Sequence, residues 1–205
     1  MATRSAERSK AAILDAATEE FLLHGYAGAS VNKIADRASL NKRMLYHYFE
    51  SKEGLWLAVL EAAYARLRAG EQQLDLAGLS AEDAMQELVR FNFRHLVEHP
   101  DFVLLVNIEN MHKAEHLKKS TRIQQMHSPL IHLLEGVLAR GHSEGVFTRK
   151  IDAAQLYIMI SSLCFFHLSN RHTLTVIFEQ DVSSKRAIDA RCDETVAAIT
   201  AYLRT

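Results

Sequence analysis

The chain reads as all-α, with a small N-terminal part of three helices followed by a larger helical part. Three observations predict this. From Ala81 onward apolar residues recur at helical spacing, with no convincing period-2 stretch among them. Two prolines and eight glycines leave long stretches free of helix breakers, and a hydrophobic content of 48% is ample for a core. Within residues 30–49, two short apolar patterns stand about three residues apart, the dimensions of a helix-turn-helix.

The opening MATRSAERSK is polar and has no apolar run of the kind a secretory leader carries. Its Arg4, Arg8 and Lys10 form a basic lead-in, either a flexible arm able to touch DNA or a solvated tail. A helix from about Ala6 to His24 carries Ile13, Leu14, Ala17, Phe21 and Leu22, and Gly25 stops it. Ser30 is an N-cap for a short helix with Val31, Ile34 and Ala35 on its apolar side. Ala38, Ser39 and Leu40 make the turn, where Ser39 fits as long as its φ stays negative. Ser51 caps a helix of about 52–70. Gly78 and Ser80 mark a loop, and Ser80-Ala-Glu-Asp83 opens the helix 82–99, which ends before Pro100. Helices of about 101–113 and from Ser128-Pro129 to Arg140 follow, with Ser128 as cap and Pro129 at the first helical position. Asp152 and Gln155 open the helix 153–168, and a last amphipathic helix covers about 184–203.

The short helix 41–48 carries the chemistry. At 100° per residue, Lys42, Arg43, Tyr46 and His47 fall on one arc, with Met44, Leu45, Tyr48 and Phe49 on the other. Cations and aromatic groups on one face suit phosphates and base edges. The whole chain is not basic: 24 Lys and Arg against 25 Asp and Glu give a formal net charge of −1. The charge is local, since Lys33, Arg37, Lys42, Arg43 and Lys52 outnumber Asp36 and Glu50 between residues 30 and 52.

Residues 10–60 resemble the DNA-binding domain of the tetracycline-repressor (TetR) family of bacterial transcriptional regulators. The resemblance rests on I-L-D-A-A-x-x-x-F, H-G-Y-x-x-x-S-V-x-x-I-A, L-Y-x-Y-F and S-K-E-x-L, in that order and spacing. Ser39 and Arg43 depart from it, standing where the family often has glycine. The resemblance implies a DNA-binding domain at 8–68, with its helix-turn-helix at 30–49, and a helical ligand-binding and dimerisation domain at 69–205. The candidate DNA-contacting residues are Ser30, Lys42, Arg43, Met44, Tyr46, His47, Tyr48 and Lys52. Lys42 and Arg43 are the best placed to read guanine edges, and Lys52 to approach a phosphate at a helix start.

The helix 153–168 is apolar on nearly every side and therefore needs two partner surfaces. Residues 153–203 are thus expected to form a homodimer interface, as the resemblance also implies, and a two-fold dimer matches an inverted-repeat operator in double-stranded DNA. The stretch FFHLSNRHTLTVIF (165–178) looks like the subgroup containing the pyrimidine-utilisation repressor, which implies a small polar heterocycle as effector. On helix 82–99, Asn92 projects from the apolar stripe of Met85, Leu88, Val89 and Leu96. Either it bonds to backbone or a neighbouring helix, or it lines an effector pocket with Phe91, His95, Ser161 and Ser162.

His95/His99 and His112/His116 are i,i+4 pairs, but no H-E-x-x-H occurs and no third ligand can be assigned, so neither metal nor cofactor is expected. Nucleophile-elbow, P-loop and dinucleotide fingerprints are all missing, which argues against an enzyme. Cys164 and Cys192 are isolated thiols, and the longest apolar run, 157–168, is too short to cross a bilayer. A cytoplasmic, ligand-responsive repressor is the leading expectation. The alternatives are a DNA-binding regulator without small-molecule input and, behind it, a metal-sensing regulator.

Overall fold

The computed structural model describes residues 2–205, with the side chains of residues 2–5, 127 and 128 outside the described residues. Among the described residues the regular structure is entirely helical. The elements are α1 (Ala2–Gly28), α2 (Val31–Arg37), α3 (Lys42–Phe49), α4 (Lys52–Gln72), α5 (Ala81–Glu98), α6 (Pro100–Met111), a 3-10 turn (Leu117–Lys119), α7 (Thr121–Ser143), α8 (Ala153–Ser169), α9 (Arg171–Phe178) and α10 (Lys185–Arg204). The chain divides into two compact units. One holds the chain as far as Arg66 together with Leu104–Gln125, and the other Leu67–Val103 together with Met126–Thr205.

In the first unit Ile13, Phe21, Ile34, Leu45, Leu55 and Trp56 are fully buried. Removing each such side chain from water contributes about 1.5–3 kcal/mol, enough to hold helices as short as α2 and α3 that would not persist alone. Phe21 and Trp56 meet edge to face, with centroids 4.9 Å apart. Gly25 interrupts α1 with φ +65 and ψ 176, a conformation open to glycine, and so ends the continuous helix where the sequence predicts. The basic lead-in departs from expectation. It forms the start of α1 and not an extended arm, although the Arg4 side chain lies outside the described residues.

In the second unit α5 packs against α8 and α10. Ser80 and Asp152 act as the predicted caps, accepting from Asp83 N at 3.1 Å and Gln155 N at 3.0 Å. The helix expected to open at Ser128-Pro129 in fact begins at Thr121 and carries Pro129 inside it. Ser120 supplies the cap, its hydroxyl accepting from Ile123 N at 3.1 Å. The Ser128 side chain lies outside the described residues. Residues 171–178, read only as a tail, form α9. Cys164 and Cys192 are buried, and burial pushes the Cys164 thiol up to about 12, as suits a small hydrophobe. No helix of the described residues is long and apolar enough to cross a membrane.

Candidate nucleic-acid interface

Two caps and one unusual turn set the angle between α2 and α3. The Ser30 hydroxyl accepts from Lys33 N at 3.5 Å, and the Ser30 amide donates to the buried Glu20 carboxylate at 3.1 Å. Asn41 caps α3 by accepting from Met44 N at 2.9 Å. Between them Ser39 takes φ +53, contrary to the expectation that a serine here keeps φ negative. The end of α2 explains this: Leu40 N donates to Ala35 O and Ser39 N to Asp36 O, each at 3.0 Å. That reversal satisfies the last carbonyls of α2 only if the intervening residue is left-handed. An L-residue there costs about 1–2 kcal/mol, partly offset by the extra unfolded-state freedom a glycine would bring. Ser39→Gly is therefore expected to stabilise the protein by about 0.5–1 kcal/mol with DNA affinity unchanged. A lowered melting temperature would contradict this.

Leu45 and Phe49 anchor α3 in the core. Lys42, Arg43, Tyr46 and His47 are all exposed on the outer side, with Met44 and Tyr48 half-buried at its edges. The Lys42 ammonium lies 5.7 Å from the Tyr46 ring centre, and the His47 and Tyr48 rings are 5.3 Å apart. Among the described residues Arg43 makes no ion pair, so its donor fork is open to a guanine edge or a phosphate. The start of α4 abuts the end of α3 so closely that a Cβ on Gly54 would lie 2.2 Å from the Phe49 carbonyl oxygen.

Two of the five cations assigned to this face have contacts within the protein, and for one of them the contact is an ion pair. Arg37 bonds Glu19 at 2.5 Å and lies 3.8 Å from the buried Glu20, which removes it from the free charge. The half-buried Lys52 donates to Ala27 O at 3.1 Å and sits 5.2 Å over the Tyr26 ring. Burial lowers its pKa, with the charge of Glu20 acting the other way. Ser51 accepts from Gly54 N at 2.9 Å, as its predicted capping role requires. Lys33, Lys42 and Arg43 remain exposed.

Sequence reasoning missed the polar knot within the same unit. Glu109 is 3% exposed yet accepts from Trp56 Nε1 at 2.8 Å, His116 N at 2.9 Å and Leu117 N at 2.8 Å. His116 Nδ1 faces the same carboxylate at 2.9 Å, and Tyr26 packs on the His116 ring with centroids 4.2 Å apart. Burial alone would raise the Glu109 pKa, but the bonds from Trp56, Leu117 and His116 together hold it below the usual carboxylate value. Among the described residues no three His, Cys, Asp or Glu side chains gather as a metal site would require.

The residues expected to line an effector pocket lie in the second unit. Asn92 and His95 are buried on α5, the His95 ring standing 5.7 Å from Phe91 and 4.4 Å from His99. The Asn92 Oδ1 and Ser161 Oγ atoms are buried without a hydrogen-bond partner among the described residues. Ser162 stands apart from the others, exposed and donating to Ile158 O at 2.7 Å. A buried Arg68–Glu71 ion pair at 2.5 Å was not anticipated, because an Arg and a Glu three residues apart near a helix end ordinarily read as a solvated pair.

Comparisons with known proteins agree with this geometry. Residues 13–59 match the family model described as bacterial regulatory proteins, tetR family, and residues 82–199 match that of the tetracyclin repressor-like C-terminal domain. The chain is 36% identical over 184 residues to the HTH-type transcriptional repressor NicS of Pseudomonas putida, covering 90% of this chain and 87% of that protein. It is 29% identical to the HTH-type transcriptional repressor SCO4008 of Streptomyces coelicolor, over 80% of each. The crystal structure of the transcriptional regulator SCO4942 from the same species superposes with a TM-score of 0.72 over 95% of this chain and 97% of that one, at 24% identity.

Proposed function

Because the chain belongs to the TetR family of bacterial transcriptional regulators, we propose that it is a dimeric repressor, released from an inverted-repeat operator by a small-molecule effector. The observation that carries the DNA-binding part is α3, with Leu45 and Phe49 held in the core while Lys42, Arg43, Tyr46 and His47 are exposed. Lys42 and Arg43 read base edges. Tyr46, His47, Tyr48 and Met44 fit the helix against the backbone and groove wall, with Ser30 and Lys52 at the flanks. The repressor names of NicS and SCO4008 support repression over activation.

Dimerisation through residues 153–203 is supported by a stripe of exposed apolar side chains on α8. Ile158 is 54% and Phe166 59% exposed, unusual for large apolar groups lying one above another on a helix. Effector binding in the second unit is supported by Asn92 Oδ1 and Ser161 Oγ, buried without a partner among the described residues, and the reading takes Phe91, Asn92, His95 and Ser161 as candidate walls. Ser162, exposed and bonded to its own helix, is set aside.

Competition binding with operator variants tests the assignment. Arg43→Ala should cost about 1–3 kcal/mol per half-site and relax the preference at its base pair. Lys52→Ala should weaken all sequences alike and flatten the salt dependence by about one phosphate. Unchanged base preference in Arg43→Ala would move sequence reading to another residue.

A further inference from the structure

A cavity of about 160 Å³ in the second unit is lined by Arg68 and Glu71 of α4, by Leu74, and by Met126, Leu130 and Leu133 of α7. Small-molecule sites usually enclose ~300–1,000 Å³, so this one suits a ligand of a single ring or a short chain. Arg68, Glu71 and the exposed Gln72 supply its polar lining, and the Arg68 guanidinium is 95% shielded from solvent with donors to spare. Arg68 Nη1 donates to Glu71 at 2.5 Å and Nη2 to the Tyr157 hydroxyl at 3.0 Å. Arg68 Nε is buried and has no partner among the described residues. Nη2 carries two protons, and the bond to Tyr157 uses one of them. The Nε–Nη2 edge is one of the two edges on which a guanidinium holds a carboxylate through parallel bonds.

We propose that this cavity binds small carboxylic acids with an apolar body, docked on the Nε–Nη2 edge of Arg68 and taken up with one proton onto Glu71. The inference rests on the effector-responsive reading above and gives that effector its chemical class. The proton follows from charge. Arg68 cannot face two buried carboxylates at once without leaving one negative charge uncompensated. Among the described residues the charged and titratable groups facing Glu71 are Arg68 on its own helix and, through Arg68, Tyr157 of α8. Among the described side chains, those that α7 turns to the cavity are uncharged. Burial raises the Glu71 carboxyl to about 7, with the Arg68 charge and hydrogen bond pulling the other way. Protonating Glu71 to admit an anion therefore costs little near neutrality. The sign is definite: acid binding should tighten as pH falls through about 7 and weaken above it.

Calorimetric titration of the full chain tests this, with benzoate, phenylacetate and hexanoate as probes, their amides as neutral isosteres and inorganic phosphate as an anion without an apolar body. We expect at least one acid to bind about tenfold or more tighter than its amide, phosphate not to bind, and the acid's affinity to fall about tenfold from about pH 6 to about pH 8. Glu71→Gln should keep binding and lose the pH dependence. Arg68→Met/Glu71→Gln, which removes both charges together and so leaves no unpaired ion to unfold the protein, should lose acid binding. Equal binding of acids and amides, no binding by any acid, or a pH dependence that survives Glu71→Gln overturns the proposal. Operator affinity measured on the same samples separates the two readings. Acid binding without operator release supports this site and sinks the effector-responsive reading. Release by a neutral compound, with no acid bound, sinks this site alone.

Discussion

Glu109→Leu should cost about 3–5 kcal/mol in chemical denaturation, a large part of the ~5–15 kcal/mol that holds a domain of ordinary stability. The substitution leaves the Trp56 indole N–H and the His116 and Leu117 amides without their acceptor, each in a site with little access to water. Glu109→Gln should cost less, since an amide oxygen can still take some of these donors while the NH2 opposes the rest. The pH dependence has a definite sign. A carboxyl whose folded pKa lies below its ordinary 4.5 contributes stability above that value and loses it as pH falls through the lower folded value. Glu109→Gln should therefore flatten the acid limb of the stability curve and leave the neutral region parallel to wild type. A loss below about 1 kcal/mol in Glu109→Leu would mean the carboxylate is not holding the knot together.

Phe166→Asp is the second large effect. Phe166 is 59% exposed on α8, so the substitution breaks little inside one subunit, and its helical signal and melting should survive. In the proposed dimer the two-fold axis places the new carboxylate in the interface twice, at several kcal/mol per buried charge. A loss of about 4 kcal/mol corresponds to roughly a thousandfold weaker association, enough for sedimentation to find monomers at micromolar protein. Operator affinity should collapse with it, because a monomer reads one half-site. A folded Phe166→Asp protein that still dimerises with wild-type affinity would move the interface off this face of α8.

How far the sequence could be read follows from the range of each interaction. The caps at Ser30, Ser51, Ser80 and Asp152 were visible because each joins residues three apart. The outer face of α3 was visible because helical periodicity alone separates Arg43 from Leu45. Neither signal reaches across the fold. Arg37 counts as a free cation until Glu19, eighteen residues earlier, is known to lie beside it. Trp56 and Glu109 are 53 residues apart, so nothing local marks Glu109 as buried. Pro129 reads as a helix start because proline is best tolerated there, yet the Ser120 cap nine residues earlier begins α7 and the helix continues through the proline. Ser39 shows the limit of a rule about residue types: the closing bonds of α2 impose a left-handed residue whatever its side chain.

Selection of bound sequences from a pool of random double-stranded DNA tests the central claim most directly, using wild type, Arg43→Ala and Phe166→Asp. The expected result for wild type is an inverted repeat whose half-sites lie about one helical turn apart or slightly more. Arg43→Ala should enrich the same architecture with one position per half-site degenerate, and Phe166→Asp should enrich nothing beyond a weak single half-site. Enrichment of no sequence by wild type, or of a motif that both variants select unchanged, would contradict a dimeric regulator that reads DNA through α3.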